Sequence, residues 1–250
     1  MKLAFLSDLH ANLRALDACL AHARAGGATG FALLGDLVGY GPDPLAVLQR
    51  VQALHAEGAI VLRGNHDEAA ARAPATARTA EELSAQWTHA QLAPDHLAFL
   101  SRLPLTARAG EALLVHASAH EPASWEYVDR APMAQRCLDA AQAQWGARQV
   151  FCGHVHEQQL YYRGADGRLL AFAPVAGVPV PLAAHRSWLA LVGSVGQPRD
   201  GDPRAMYALL DVAQGRLAFH RVAYDHVGTA AAIRAAGLPE AFAQRLERGR

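Results

Sequence analysis

An α/β fold is expected from three features of the sequence. Short apolar runs alternate with longer amphipathic stretches through the first two thirds of the chain. The short runs are hydrophobic almost without interruption, and five of them lead, directly or after one residue, into Asp, His or Gly. Such alternation is the order in which parallel strands are joined by crossover helices, and unbroken apolar character suits strands covered on both faces.

The expected parallel strands are Leu3 to Leu6, Phe31 to Leu34, Ile60 to Leu62, Leu113 to Val115 and Val150 to Cys152. Helices are expected between them over Asn12 to Ala25, Pro44 to Ala56, Ala80 to Leu92, Asp95 to Leu103 and Met133 to Trp145. Pro42, Pro94 and Pro132 punctuate near three of the starts. After His156 the texture changes to short runs separated by Gly or Asp turns: Gln158 to Tyr162, Leu169 to Phe172, Trp188 to Val192, Tyr207 to Asp211 and Leu217 to Ala223. This part reads as antiparallel. From Val227 to Arg250 a helical spacing of Ile233, Leu238, Phe242 and Leu246 is broken by Gly237 and Pro239, which predicts one or two short helices docked on the sheet. No repeat or long linker divides the chain, so residues 1–250 are read as one domain.

Composition excludes several function classes. The chain has 250 residues, 52% of them hydrophobic and 18% charged, enough to bury a large core and too apolar for disorder. Basic and acidic residues balance at 23 each, and no lysine or arginine run offers a stripe for long nucleic acid. The apolar run before Ser7 is too short for a signal peptide, so a cytoplasmic location is expected. The longest apolar stretch, Leu169 to Ala184, has 16 residues and contains Pro174, Pro179 and Pro181, short of the roughly 20 that a membrane helix needs. Cys19, Cys137 and Cys152 are scattered among apolar neighbours and read as buried free thiols.

The chemistry gathers where the five strands end, which is where sites form in open α/β sheets. The ends read Asp8-Leu9-His10, Gly35-Asp36, Gly64-Asn65-His66-Asp67, His116 and Gly153-His154-Val155-His156, and they hold five of the 13 histidines. On an extended chain residues i and i+2 point the same way, so Asp8 with His10, and His154 with His156, are expected to act as pincers. Seven candidate ligands, Asp8, His10, Asp36, Asn65, His116, His154 and His156, exceed what one tetrahedral ion uses, so two ions sharing a carboxylate are inferred. Oxygen and imidazole donors without thiolate suit manganese, iron or zinc in a reactive site. Two divalent cations, two carboxylates and a bridging hydroxide leave a net charge of about plus one, suited to a phosphate ester. His66 would then face the leaving group as a general acid, with Asp67 orienting it.

In these five ordered motifs the chain resembles the calcineurin-like metallophosphoesterases, over residues 3 to 156. The resemblance implies a four-layer α/β/β/α sandwich with a mixed second sheet. It also implies one metal held by Asp8, His10, Asp36 and His156, a second held by Asp36, Asn65, His116 and His154, and His66 as the catalytic histidine. Two divalent or trivalent ions are implied, manganese first, with iron, zinc or nickel as alternatives. The segments Gly35 to Pro42 and Gly193 to Arg199 are similar to the small bacterial phosphodiesterase branch, which implies a small phosphate-ester or nucleotide substrate and no membrane partner. Gly39 stands where protein phosphatases carry a further aspartate, which argues against a protein phosphatase. Leu191-Val192 replaces an Asn-Pro pair, and His120 replaces an arginine.

Each residue also has a plain alternative. Asp8 or Asp36 can cap a helix, and a lone His116 can be a satisfied core histidine. Arg199 can clamp a substrate phosphate or pair with a carboxylate. Tyr40, Trp125 and Tyr127 can stack on a base or close loops over the core. His22, His55, His89, His96, His185, His220 and His226 fall outside the pattern and read as surface or core residues. Three functions are weighed: hydrolysis of small phosphodiesters, hydrolysis of dinucleoside polyphosphates, and a non-catalytic interaction module like the retromer subunit of this fold. The complete ligand set stands against the last.

Overall fold

A computed structural model describes every residue except Ala165 and Ala184. The first half runs β1 (Lys2–Leu6), α1 (Leu13–Ala25), β2 (Gly30–Leu33), α2 (Pro44–Ala56), β3 (Ile60–Val61), α3 (Asn65–Ala71), α4 (Ala80–Gln91) and α5 (Pro94–Arg102). It continues with β4 (Thr106–Ala109), β5 (Ala112–Val115), α6 (Ala131–Trp145) and β6 (Gln149–Cys152). The remainder holds β7 (Gln158–Arg163), β8 (Leu169–Phe172), β9 (Val180–Pro181), β10 (Trp188–Val192), β11 (Ala205–Asp211), β12 (Arg216–Val222), α7 (His226–Ala235) and α8 (Glu240–Arg248).

Among the described residues the strands form two six-stranded sheets, ordered β3-β2-β1-β11-β12-β9 and β4-β5-β6-β10-β7-β8. The strands expected to be parallel divide between them. β1, β2 and β3 are parallel in the first sheet, while β5 and β6, joined by β10, are parallel in the second. The later strands β7, β8, β11 and β12 pair antiparallel with their neighbours, so both sheets are mixed.

The period of two along each strand sorts its side chains between two cores. In β1, Leu3 and Phe5 point into the space between the sheets, while Ala4 and Leu6 meet α1 and α2. In β10, Trp188, Ala190 and Val192 face the first sheet, and Leu189 and Leu191 face α6. The layers are therefore helix, sheet, sheet, helix, as the resemblance implied, and the unbroken apolar runs follow from burial on both faces. Phe5 and Phe151 stack across the sheet interface with centroids 4.0 Å apart, each burial contributing about 2–3 kcal/mol. Cys19, Cys137 and Cys152 are free and buried.

Several elements depart from the sequence reading. α3, β4 and β9 were not anticipated, because they are short and carry no clear period. The C-terminal helices α7 and α8 do form, but they pack on Tyr40, Ala80 and Trp87 instead of a sheet face. The sheets are already covered by α1, α2 and α6, which leaves the Tyr40 loop and α4 as the uncovered apolar surface. The apolar run 169–184 contributes the edge strands β8 and β9, its last residue lying outside the described residues. No helix among the described residues is long and apolar enough to cross a membrane.

Candidate metal centre

The loops leaving β1, β2, β5, β6 and β10 are laced together by backbone hydrogen bonds. The amides of Asp8, His10 and Ala11 donate to the carbonyls of Gly35, Asp36 and Leu37 at 2.9–3.0 Å. Gly153 donates to His116 across the second sheet, and Val195 and Gly196 donate to Ser7 and Asp8 across the gap between sheets, each at 2.9 Å. Five of the seven candidate ligands sit on left-handed backbone: Asp8 (φ 54°), His10 (46°), Asp36 (51°), His154 (66°) and His156 (65°). The expected extended pincers are therefore absent; the pairs converge because the chain curls through the left-handed region at each strand end. For residues with a β-carbon this conformation costs about 1–3 kcal/mol each, held by the surrounding loop bonds. Close approach is also required. A β-carbon on Gly64 would strike Asp36, and one on Gly153 would strike Ser7 and Asp8.

All eight expected site residues are brought together. His156 Nε2 lies 3.3 Å from Asp8 Oδ1 and 3.1 Å from His10 Nε2. His116 Nε2 lies 3.3 Å from Asp36 Oδ2, 3.2 Å from His154 Nδ1 and 3.2 Å from Asn65 Oδ1. Asp36 stands between the two groups, with Oδ2 also 3.8 Å from His10 Nε2. His66 joins at the side, its ring within 4.8 Å of ligand atoms of His10 and Asp36. Asp36 also takes the plain role considered for it, since its Oδ1 accepts the His66 amide at 2.8 Å on the first turn of α3. α1, by contrast, is capped by Asn12, not Asp8.

Backbone carbonyls set the protonation of the rings. His116 Nδ1 donates to Leu34 at 2.9 Å, His156 Nδ1 to Gln197 at 2.6 Å, and His154 Nε2 to Trp125 at 3.0 Å; His10 Nδ1 faces Val38 at a longer 3.4 Å. A carbonyl oxygen only accepts, so the nitrogen facing it carries the ring proton and the opposite nitrogen of a neutral ring is a bare lone pair. With the rings neutral, two such pairs face each other, His10 with His156 and His116 with His154, beside two carboxylates. Facing lone pairs repel unless a cation lies between them, and orienting the far ring nitrogen is how proteins set metal-ligating histidines. The donor set therefore fits divalent cations at two adjoining positions.

The electrostatics agree. Burial opposes ionisation of Asp8, yet His156 and His116 hold its carboxyl well below the usual range. Asp36 is likewise held low, burial being outweighed by His116 and His66. Burial, reinforced by His156, takes His10 well below 6.5, and burial with His116 takes His154 down to about 4. His116 moves up, to about 9, because Asp36 outweighs burial. Its proton stands where a cation would compete for the Asp36 carboxylate.

Other residues settle differently. Asp67 does not reach the His66 ring: its carboxylate accepts the amides of Leu37, Val38 and Gly64 at 2.8–3.2 Å, tying the β2 exit to the β3 exit. Burial and Asp36 push its pKa up to about 7. Tyr40 is only 5% exposed, packed 4.7 Å from His10, 4.3 Å from His66 and 4.8 Å from Phe242, so it closes the loop and is no stacking platform. Tyr127 is 49% exposed and stacks on His154 at 4.0 Å. His120 turns away to Arg136. Sequence reasoning missed the carbonyls of Leu34, Trp125 and Gln197, and Ser194, whose hydroxyl donates to Asp8 O at 2.9 Å. Carbonyls carry no side-chain signal; only the Gly193 to Arg199 motif pointed to this loop.

Comparisons with known proteins show the family and the fold. The family model described as the calcineurin-like phosphoesterase superfamily domain matches residues 1–215. The chain is similar to the crystal structure of a metallophosphoesterase from Sphaerobacter thermophilus, at 35% identity and TM-score 0.87, over 100% of this chain and 99% of that one. It shares its fold with a hypothetical protein from Pyrococcus horikoshii, at 19% identity and TM-score 0.78, over 100% and 98% of the two chains. An uncharacterized protein of Methanocaldococcus jannaschii is 28% identical over 99% of this chain and 98% of its own length.

Proposed function

The chain belongs to the calcineurin-like phosphoesterase superfamily and is a phosphoric ester hydrolase, and from that premise we propose that it hydrolyses small phosphodiesters or related phosphate esters at a dinuclear metal centre. The observation that carries this reading is the convergence of facing ring nitrogens, His10 with His156 and His116 with His154, on the carboxylates of Asp8 and Asp36. Asp8, His10, Asp36 and His156 would hold one ion, and Asp36, Asn65, His116 and His154 the other, with manganese the first choice. When bound, such a pair supplies positive charge to the phosphoryl oxygens and acidifies the water that attacks in line.

The chain's own groups do the rest. Asp36 shares its carboxylate between both positions, which its place between the two groups supports. The carbonyls of Leu34, Gln197 and Trp125 keep three rings in the tautomer that presents a lone pair. His66 holds a proton for the departing oxygen. Its backbone is anchored to Asp36 and its ring is steadied by Tyr40, while burial, outweighing the nearby Asp36 carboxylate, lowers its pKa and makes that proton easier to release. The complete donor set argues against a non-catalytic module. Residues 1–250 act as one domain in this reading, in the cytoplasm, with no long nucleic acid as substrate.

A panel of chromogenic phosphodiesters, phosphomonoesters and nucleotides, run with manganese, nickel, zinc and magnesium, tests the reading. The expected result is turnover that a chelator abolishes and that His66→Ala reduces by about 10²–10⁴. Full activity of His66→Ala would remove the acid role. Absence of turnover with every metal and ester would remove the hydrolase reading.

A further inference from the structure

Of two arginines beside the centre, Arg199 has no anionic partner among the described residues and Arg245 has a long one. Arg199 forms no ion pair among the described residues: its Nη2 donates to the neutral Oε1 of Gln197 at 2.9 Å, and its Nε is buried with no partner. Arg245, on α8, reaches Glu81 only at 3.9 Å, and its Nη1 is also buried and unpartnered. The two guanidiniums share one aromatic ring, with Arg199 Cζ 5.9 Å and Arg245 Cζ 5.6 Å from the Tyr40 centroid. That ring adjoins His66 and His10 at 4.3 and 4.7 Å. Two like charges with idle N–H donors are thus gathered at the His66 side of a centre read above as a cation site.

An under-balanced guanidinium pair calls for an anion with several acceptor oxygens, and phosphate matches the guanidinium fork best. The phosphoryl group undergoing cleavage belongs between the aspartates and histidines, so an anion at the arginines is a different group. Resting on the hydrolase reading above, we infer that Arg199 and Arg245 form a subsite for a second phosphoryl group joined to the one being cleaved. The substrate class this selects is a pyrophosphate-linked ester in preference to a simple diester. Tyr40 acts as a positioning residue, its buried ring spacing both guanidiniums from His66.

Equilibrium binding of AMP and ADP to the manganese-loaded His66→Ala protein tests the subsite without turnover, because the two probes differ by one phosphoryl group. ADP is expected to bind tighter than AMP by about tenfold, the size of one charge-assisted hydrogen bond, and the gap is expected to close in R199Q/R245Q. Equal binding of the two nucleotides before substitution, or equal weakening of both by the double variant, would overturn the inference. Should R199Q/R245Q lose its cooperative melting transition, R199K/R245K carries the test. It keeps both charges, loses the fork, and is expected to retain part of the preference; an undiminished or entirely lost preference in a folded lysine pair would count against recognition by guanidinium. If the protein with His66 intact turns over no phosphoester while the ADP preference persists, the hydrolase reading falls and the subsite stands.

Discussion

His10, His116, His154 and His156 converge on Asp8 and Asp36, whereas His22 and His220 converge on Tyr207. In the second cluster His22 Nδ1 lies 2.7 Å from the Tyr207 hydroxyl, His220 stacks on the Tyr207 ring at 4.7 Å, and the two imidazoles are 5.2 Å apart. Imidazoles meet in both clusters, yet neither His22 nor His220 belongs to a group of three metal-capable side chains among the described residues. Both occupy regular α1 and β12 backbone, whereas every member of the first cluster except His116 is left-handed. In the first cluster a carboxylate raises His116 to about 9; in the second, burial followed by His22 lowers His220 to about 4. Histidines become a cation site when carboxylates share their space and carbonyls dictate which nitrogen is bare. Without those two conditions they pack as aromatic rings.

The strongest way to break this contrast is to remove the shared carboxylate. Asp36→Ala is expected to abolish phosphoester turnover and to drop bound metal, measured by elemental analysis, from two equivalents per chain to one or fewer. Next in size is Gly153→Ala, whose new β-carbon would displace Asp8; a fall of about a hundredfold in activity is expected, comparable to losses when the supports of a metal ligand are disturbed. Activity equal to the parent would mean that Asp8 need not stay where it is.

A smaller effect separates the clusters by pH. The unfolded chain protonates His220 near 6.5, while the folded protein refuses the proton until about pH 4. Its contribution to stability is therefore complete above 6.5 and is lost as pH falls from 6.5 toward 4. His220→Phe keeps the stack on Tyr207 and removes the titration, so urea titrations should show a flatter pH dependence across that window; an unchanged slope would contradict the buried neutral imidazole. Tyr127→Ala removes the ring stacked on His154 and should weaken metal retention by less than about tenfold. His22→Ala takes the partner from the Tyr207 hydroxyl and is expected to cost about 1–3 kcal/mol of stability while leaving metal content unaltered. Loss of metal from His22→Ala would erase the distinction between the clusters.

Much of the fold was legible because burial on two faces leaves a plain trace. The runs around Phe5, Leu33, Leu114 and Phe151 announced strands, and Asn12, Pro44 and Pro94 announced helix starts. The site was legible because its side-chain types are unusual at strand ends: Asp8, Asp36, Asn65 and the five histidines could be picked out before any geometry was known. Less legible was α3, seven residues whose helix is organised by Asp36 accepting the His66 amide, a bond between segments thirty residues apart. The docking of α7 and α8 was misplaced because the apolar stripe through Ile233, Phe242 and Leu246 says that a partner exists without saying which one.

Residue identity alone determined which donors are present, in what order, and that no thiolate is among them, because those are properties of side chains. Tertiary structure decided how the parallel strands divide between two sheets, that the ligand pairs converge through left-handed turns instead of extended chain, and which nitrogen of each ring is bare. These depend on carbonyls such as Leu34, Trp125 and Gln197. A carbonyl is the same at every position of a sequence, so only the path of the chain can tell it which histidine to hold.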